Sequence, residues 1–382
     1  MGSSSTYLAF DRYPSSKGSG THINHMTEVL SKMHSPCLLL TLKGTSKLEQ
    51  TGIIHREFDQ LEANYLRRGQ LFASWASGQL AKENNLKLGH FRDIWGGLAV
   101  LEHPHISPVF EVNGLPSVEL PYRYPGISSH TLDKIRVLES LCLKNSELII
   151  VPSAVIRTHL VNRGVPDDKI RIITNGADMP AVFPRDTSLP EKYGVYFGAL
   201  QSWQGITTLF KALTYLEDVP DFHLVICSSQ KEKQVRPYLK LLNKLGVQDK
   251  VIWKYQLGKQ ELNRVLQHAY CSFAPLQECS RNIEQGCSPL KIFESMASGV
   301  PVVASDLPVT REIMRHEHEG ILVPPDRPAE ISRAVRFLID FKEERNNMGI
   351  RAREKIRTGF LWEKKKNELK QVYLSLDKVA IV

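Results

Sequence analysis

The sequence predicts an α/β protein built as two doubly wound, parallel-sheet domains, and three observations carry that expectation. The chain has 382 residues, more than one hydrophobic core ordinarily supports. Apolar strand-like runs alternate with amphipathic segments in both halves, and a parallel strand pair needs such a helix to return the chain. Between the halves, Met179-Pro-Ala-Val-Phe-Pro-Arg-Asp-Thr-Ser-Leu-Pro190 carries three prolines among polar residues and reads as a linker. The expected divisions are 1–183, 184–360 and a tail, 361–382.

In the first half, Tyr7–Phe10, Pro36–Leu42, Val109–Asn113, Glu147–Pro152 and Ile170–Thr174 read as strands, being short apolar runs bounded by turn residues. Thr21–His34, Thr131–Asn145 and Ala154–Arg163 carry the three-and-four spacing of helices. In the second half Gly194–Ala199, His223–Ser228, Val251–Tyr255, Cys271–Pro275 and Pro301–Ser305 are the expected strands. Gly205–Leu216, Glu232–Leu245, Gln260–His268 and Pro289–Ser298 are the expected helices, and Trp362–Leu376 is a last helix rich in Lys and Glu.

Hydrophobic residues make up 42% of the chain and charged residues 24%, which is ordinary for a globular protein. The net charge of +8 divides as 19 basic against 17 acidic residues over 1–183 and 30 against 24 over the rest, so an anionic ligand or surface is compatible with the second half. No nucleic-acid recognition pattern is present; the run Lys364-Lys-Lys366 reads as a solvated helix face. Six cysteines without metal-like spacing read as reduced thiols of a cytosolic protein. No apolar run reaches membrane-spanning length, and the N-terminus lacks a secretory apolar region. Met1-Gly-Ser-Ser-Ser-Thr6 fits an N-myristoylation pattern and reads as a Ser-rich start that matches it by chance.

The densest chemistry lies in Gln285-Gly-Cys-Ser-Pro-Leu-Lys-Ile-Phe-Glu-Ser-Met-Ala-Ser-Gly299. Ser288 suits an N-cap, Pro289 the first helical position and Gly299 a left-handed terminator. Lys291 and Glu294 share one face at i,i+3 spacing. A helix N-terminus at the carboxyl end of a strand favours an anion such as a diphosphate. Lys291 adds a positive charge there, and Glu294 is able to accept hydrogen bonds from a sugar diol. The competing reading is a surface salt bridge. Two glycine turns, Ser15-Ser-Lys-Gly-Ser-Gly-Thr21 and Phe197-Gly-Ala-Leu-Gln-Ser-Trp-Gln-Gly205, each follow a strand and open a helix, but neither is a dinucleotide fingerprint. His90-Phe-Arg-Asp-Ile-Trp-Gly-Gly97 concentrates polar residues in an expected loop.

On these residues the chain resembles retaining glycosyltransferases of family 4, which have the GT-B arrangement of two Rossmann-like domains facing a cleft. Val151-Pro-Ser-Ala154, the segment Val165–Asp178, the turn Phe197–Gly205, the helix and strand Pro289–Ala304 and Gly320-Ile-Leu-Val-Pro-Pro325 occur in the family's order. The resemblance implies that Lys291 and helix amides hold the diphosphate, Glu294 the ribose, and the region around Tyr255 and Leu257 the base. Leu290, Gly198, Gln204 and Gly205 would line the nucleotide-sugar site. Glu111 and Asn113, with Gly18, Ser19, Gly20 and His90, would line the acceptor side. The tail helix would cross back to the first domain.

This chain departs from the family pattern at three places. A second glutamate is often found where Gly286 stands, so sugar contacts are assigned to backbone N–H groups of Gly286, Cys287 and Ser288. The turn's usual Lys-Gly is Gln204-Gly205, with Arg281 as the replacement cation. A His-x-His reads His90-x-Arg92 followed by Asp93, which makes Arg92 and Asp93 the catalytic candidates on that side.

The implied reaction is sugar transfer, best matched by UDP-glucose as donor, to a hydroxyl acceptor such as a lipid-linked saccharide in polysaccharide assembly. No cofactor and no metal is expected, and a cytoplasmic enzyme with peripheral contact at the inner membrane face is compatible. A nucleotide-sugar epimerase of the same architecture and a non-catalytic sugar-nucleotide-binding subunit are the alternatives. A nicotinamide dehydrogenase is disfavoured by both glycine turns.

Overall fold

The computed structural model describes residues 4–15, 18–48 and 50–379. The N-myristoylation pattern begins at residues 1–3, and Ser16 and Lys17 of the first glycine turn also lie outside the described residues. The chain forms two compact units, residues 1–174 with 365–382, and residues 175–364.

The first unit is a seven-stranded sheet: β1 (Ser5–Tyr13), β2 (Cys37–Lys43), β3 (Ile53–Phe58), β4 (Leu88–Phe91), β5 (Ser107–Glu111), β6 (Leu148–Val151) and β7 (Ile170–Ile172). They are ordered β3-β2-β1-β4-β5-β6-β7, and every pairing is parallel. Helices α1 (Gly18–Met33), α2 (Tyr65–Leu80), α3 (Ile94–Leu101), α4 (Pro116–Arg123), α5 (Ser129–Asn145) and α6 (Ala154–Asn162) return the chain. Leu38, Leu40, Phe91, Phe110 and Ile149 from the sheet bury against Phe72, Trp95 and Ile135 from the helices.

The second unit is a six-stranded parallel sheet of β8 (Lys192–Gly198), β9 (Phe222–Ser228), β10 (Val251–Tyr255), β11 (Cys271–Ala274), β12 (Val302–Ser305) and β13 (Gly320–Val323), ordered β10-β9-β8-β11-β12-β13. Its helices are α7 (Ile206–Leu213), α8 (Arg236–Leu245), α9 (Lys259–Leu266), α10 (Leu290–Ala297), α11 (Pro308–Arg311), α12 (Pro328–Asp340) and α13 (Lys342–Gly359). A last helix, α14 (Trp362–Val379), contains the return from the second unit to the first at Lys364–Lys365. Alternate residues of β8 enter different cores. Tyr196 packs with Leu209 and Phe210, while Val195 and Phe197 pack with Val265 and Leu266. That double burial explains why the strand reads as an unbroken apolar run.

Several expectations shift. The prolines at 180–190 do not form a free linker, because the segment is pinned to the end of α9: His268 Nε2 lies 2.8 Å from the Phe183 carbonyl and Arg264 covers the Phe183 ring at 5.2 Å. The units therefore divide at 174/175, before the expected 183. The helix expected over Glu232–Leu245 starts at Arg236, because Pro237 is accommodated only in a first turn. The lysine run is a solvated face only at Lys364. Lys365 is buried and bonds Glu368 at 2.8 Å, Lys366 pairs with Glu28 at 3.0 Å, and Lys364 donates to the Thr358 carbonyl. The six cysteines are all free thiols, five of them buried. Among the described residues, no helix is long and apolar enough to cross a membrane.

Candidate functional site

In each unit the strand order reverses at one place, between β1 and β4 and between β8 and β11. Ligands of open parallel sheets collect at the carboxyl ends of the strands flanking such a switch point, where neighbouring loops part. In the second unit those loops are the turn after β8 and the segment after β11. They carry Gln204 and Gly205 on one side and Arg281 through Lys291 on the other.

The turn is held tightly. Gly205 has φ +68°, and a Cβ there would stand 1.7 Å from the Pro275 carbonyl oxygen, so only glycine fits. The Trp203 carbonyl accepts hydrogen bonds from Gln277 N and Asn282 Nδ2, both at 3.0 Å, which ties the turn to the other loop.

Both predicted cations rest on aromatic rings of this turn and its strand. The Lys291 ammonium lies 4.0 Å from the Tyr196 ring centroid and donates to Gln204 Oε1 at 2.6 Å. The Arg281 guanidinium lies 5.0 Å from the Trp203 ring centroid, and its Nη1 donates to Asn282 Oδ1 at 3.1 Å. Lys291 is only 8% exposed, and burial lowers its pKa to about 7. Glu294, half-buried one turn further along α10, is pushed up to about 7 by burial. Lysine and glutamate thus share a helix but are not a surface salt bridge. Lys291 turns instead to Gln204 and Tyr196.

The loop into α10 differs from expectation. Pro289, not Ser288, is the N-cap, and no side chain caps the helix. The Ser288 carbonyl instead accepts from Asn175 Nδ2 at 2.8 Å. Gly286 donates its N–H to the Arg281 carbonyl at 3.0 Å, so that N–H is already engaged and is withdrawn as a sugar contact. Cys287 is buried and Leu290 half-buried at the entry to the helix, and Gly299 ends it with φ +73° as expected. Gly286 itself has φ +86° and ψ 174°, a region open almost only to glycine. Gly286→Glu, which would supply the family's missing carboxylate, is therefore expected to cost about 1–3 kcal/mol of stability. Its thermal midpoint should fall by several degrees without a gain in donor affinity. Gly198 (φ +110°) closes β8, while Tyr255 and Leu257 lie at the end of β10, beyond β9 in the sheet. The Tyr255 ring stacks on Trp253 with centroids 6.0 Å apart.

At the first unit's switch point, Arg92 Nη1 donates to the Ser19 carbonyl in the first turn of α1 at 3.3 Å, beside Gly18 and Gly20. Arg92 Nε lies 3.4 Å from Asp11. Burial opposes the Arg92 charge, but Asp11, Tyr7, Glu111 and Asp93 around it more than offset this and push its pKa up.

Asp93 is corrected from a catalytic candidate to a helix cap. Its carboxylate accepts from Gly96 N at 2.9 Å and from Phe10 N at 2.6 Å, opening α3, and burial raises its pKa to about 6. His90 is in β4, not in a loop, and is fully buried. Its Nε2 lies 2.9 Å from Glu111 and its Nδ1 2.5 Å from the Tyr373 hydroxyl of α14, so neither nitrogen is left for an acceptor. Glu111, 1% exposed, also takes Tyr7 Oη at 2.9 Å, His22 Nδ1 at 3.0 Å and Asn113 Nδ2. Both leave the acceptor list for a buried network. Gly18, Ser19, Gly20 and the half-buried Asn113 remain on it, with Arg92 as the catalytic candidate beside them.

Tyr196, Trp203 and Asn175 were missed as site residues. Tyr196 is one of several aromatics in a strand run, and only the sheet shows which ring faces Lys291. Among the described residues, no group of three or more His, Cys, Asp or Glu is placed to hold a metal ion.

Two family models match the chain: Glycosyltransferase Family 4 over residues 16–179 and Glycosyl transferases group 1 over residues 183–355. The chain is 25% identical over 364 residues to a D-inositol 3-phosphate glycosyltransferase of Corynebacterium diphtheriae, covering 91% of this chain and 77% of that one. It is 26% identical over 330 residues to an uncharacterized glycosyltransferase of Methanocaldococcus jannaschii, covering 79% and 81%. In structure it is similar to sucrose-phosphate synthase from Thermosynechococcus elongatus (TM-score 0.82, 18% identity, 98% and 99% covered). It is also similar to Anabaena HepE solved with UDP-glucose (TM-score 0.77, 16% identity, 98% and 100% covered). The switch-point loops, the turn held by Gly205 and the two matching models together place the chain in glycosyltransferase family 4, with a group 1 domain in its second half and the GT-B fold.

Proposed function

We propose that the chain is a retaining hexosyltransferase that moves a sugar from a nucleoside diphosphate sugar, UDP-glucose being the first to test, to a hydroxyl acceptor. The observation that carries this reading is the pair of ring-seated cations, Lys291 over Tyr196 and Arg281 over Trp203, beside the N-terminus of α10. Two cations and a helix N-terminus suit a diphosphate leaving group. Glu294, one turn on, suits a ribose diol. The similar Anabaena protein was solved with UDP and with UDP-glucose, which supports the choice of donor.

In the proposed reaction the bond from the anomeric carbon to the donor's phosphate oxygen breaks as the acceptor oxygen bonds the same face of that carbon. The acceptor's proton passes to the departing phosphate oxygen. No side-chain nucleophile is required. Lys291, Arg281 and the α10 amides stabilise the charge gathering on the diphosphate, an electrostatic contribution worth about 3 kcal/mol per oriented donor. Turnover is expected to persist in a chelator, since these groups do the neutralising. A lipid-linked saccharide at the cytoplasmic membrane face is the proposed acceptor class, in line with similarity to relatives named for diphosphopolyprenol acceptors.

Incubation with UDP-, GDP- and ADP-glucose, without and then with an acceptor extract, tests the reading. Nucleoside diphosphate released only with acceptor, and a product of unchanged anomeric configuration, is the expected result. Sugar isomerisation without release would make the chain an epimerase, and donor binding without either reaction a binding subunit. A donor present at about a hundred times its Kd should stabilise the fold by about 2.7 kcal/mol, which a thermal-shift panel detects.

A further inference from the structure

We propose that Gln204 is the positioning residue of Lys291: its neutral amide oxygen seats the buried ammonium over the Tyr196 ring and leaves its charge available to the donor's phosphate. The inference rests on the donor reading of this site and assigns a role to the residue where the family pattern has a lysine.

The geometry is specific. Gln204 Oε1 lies 2.6 Å from Lys291 Nζ, and the ammonium lies 4.0 Å from the Tyr196 ring centroid. The ring cannot swing, because Tyr196 is fully buried and its hydroxyl donates to the Ala199 carbonyl at 2.7 Å. Nor can the amide drift far. Gln204 lies between Trp203, whose carbonyl is held by Gln277 and Asn282, and Gly205, which is pressed on Pro275.

Three side chains at 204 would act differently. A lysine there would set a second ammonium against a buried one, and like charges disfavour each other's ionisation. A glutamate would pair with Lys291 and hold its charge to high pH. A glutamine orients the ammonium with a dipole and does neither. The charge the family pattern places in the turn is carried here by Arg281, seated on Trp203.

Lys291 is faced by Glu294 from its own helix, Cys287 from the preceding loop, Tyr196 from β8 and Gln204 from the turn; Glu294 in turn is faced by Lys259 and Asp178. Above about pH 7 a nucleoside diphosphate is fully ionised, and Glu294 is past its midpoint. A loss of UDP affinity between pH 7 and 8.5, below the deprotonation of the uracil ring, therefore reports the loss of the Lys291 charge.

The test measures Kd for UDP and for uridine between pH 6 and 8.5 by calorimetry on the full chain, for wild type, Gln204→Glu and Gln204→Leu. The onset of the alkaline loss should rise by about one pH unit or more in Gln204→Glu, as an opposite charge in contact does, and fall in Gln204→Leu. Uridine affinity should stay unchanged throughout. UDP binding whose alkaline onset is the same in wild type, Gln204→Glu and Gln204→Leu overturns the role of Gln204 and leaves the donor site standing. A wild type that binds none of UDP, GDP or ADP at any pH overturns the donor reading, and this inference with it.

Discussion

Lys291→Met is expected to cut turnover by about two to three orders of magnitude, the loss typical of removing one oriented donor to a developing anion, while its thermal midpoint stays at or above that of the wild type. The two halves of this result have one cause. The ammonium is 8% exposed, with a neutral amide and a ring as its close partners. Burying a charge without a counter-ion costs stability, and the methionine keeps the packed stem without that cost. Steady-state kinetics with UDP-glucose and a melting curve check both halves. A variant with normal turnover would remove Lys291 from the mechanism. Arg281→Ala should also weaken UDP binding; if Lys291→Met weakens it and Arg281→Ala does not, the second cation lies elsewhere.

The pH dependence of donor binding follows from the same burial. Lys291, lowered to about 7, loses its charge and its phosphate contact as pH rises above 7. Glu294, raised to about 7, becomes protonated and a poorer acceptor for ribose hydroxyls as pH falls below 7. UDP affinity is expected to peak near neutrality. The alkaline limb should vanish in Lys291→Met, and in Glu294→Gln the acid limb should shrink to the part set by protonation of the diphosphate itself.

Glu111→Ala should destabilise the protein by about 3–5 kcal/mol, the range for stripping one partner from a buried charged network, and lower the thermal midpoint by on the order of 10 °C. Tyr7, His22, His90 and Asn113 converge on this carboxylate from β1, α1, β4 and the end of β5, and Tyr373 of α14 reaches it through His90. Burial alone would raise the Glu111 pKa, but the His22 charge, hydrogen bonds from His22 and His90, and the Arg92 charge hold it well below the ordinary value. A depressed carboxylate stabilises the fold above its unfolded pKa of about 4.3, and that stability is lost as pH falls through the folded value. Glu111→Gln should therefore flatten the acid limb of the stability profile at a smaller cost at pH 7. An unchanged acid limb would show that the network does not depend on the charge.

How far the chain could be read from its residues varied with how local the physics was. The apolar cores of β2, β8 and β12 were legible because a doubly buried parallel strand is an apolar run, and Val251–Tyr255, a half-buried edge strand, because its residues are mostly β-branched or aromatic. β3 was not, since Ile53–Phe58 is an edge strand that buries only Phe58 and carries His, Arg and Glu. β4, four residues with a glycine and a histidine, was missed because His90 behaves as an apolar residue only once Glu111 and Tyr373 satisfy its ring. The cap at Ser288 failed for a related reason. A Ser-Pro pair suits a helix start, yet Asn175, far away in sequence, takes the Ser288 carbonyl, and the helix begins after Pro289.

The sequence by itself determined the two parallel-sheet units, the turns at Gly205 and Gly299, and the presence of Lys291, Glu294 and Arg281 beside a strand end, because periodicity, turn chemistry and motif order are local. Only the tertiary structure decided what those groups face. Which ring lies under Lys291, whether Asp93 catalyses or caps, and whether His90 and Glu111 meet an acceptor or each other depend on contacts between residues far apart in the chain. Such contacts form where sheet order and helix packing bring side chains together, and burial then sets the charge each one carries.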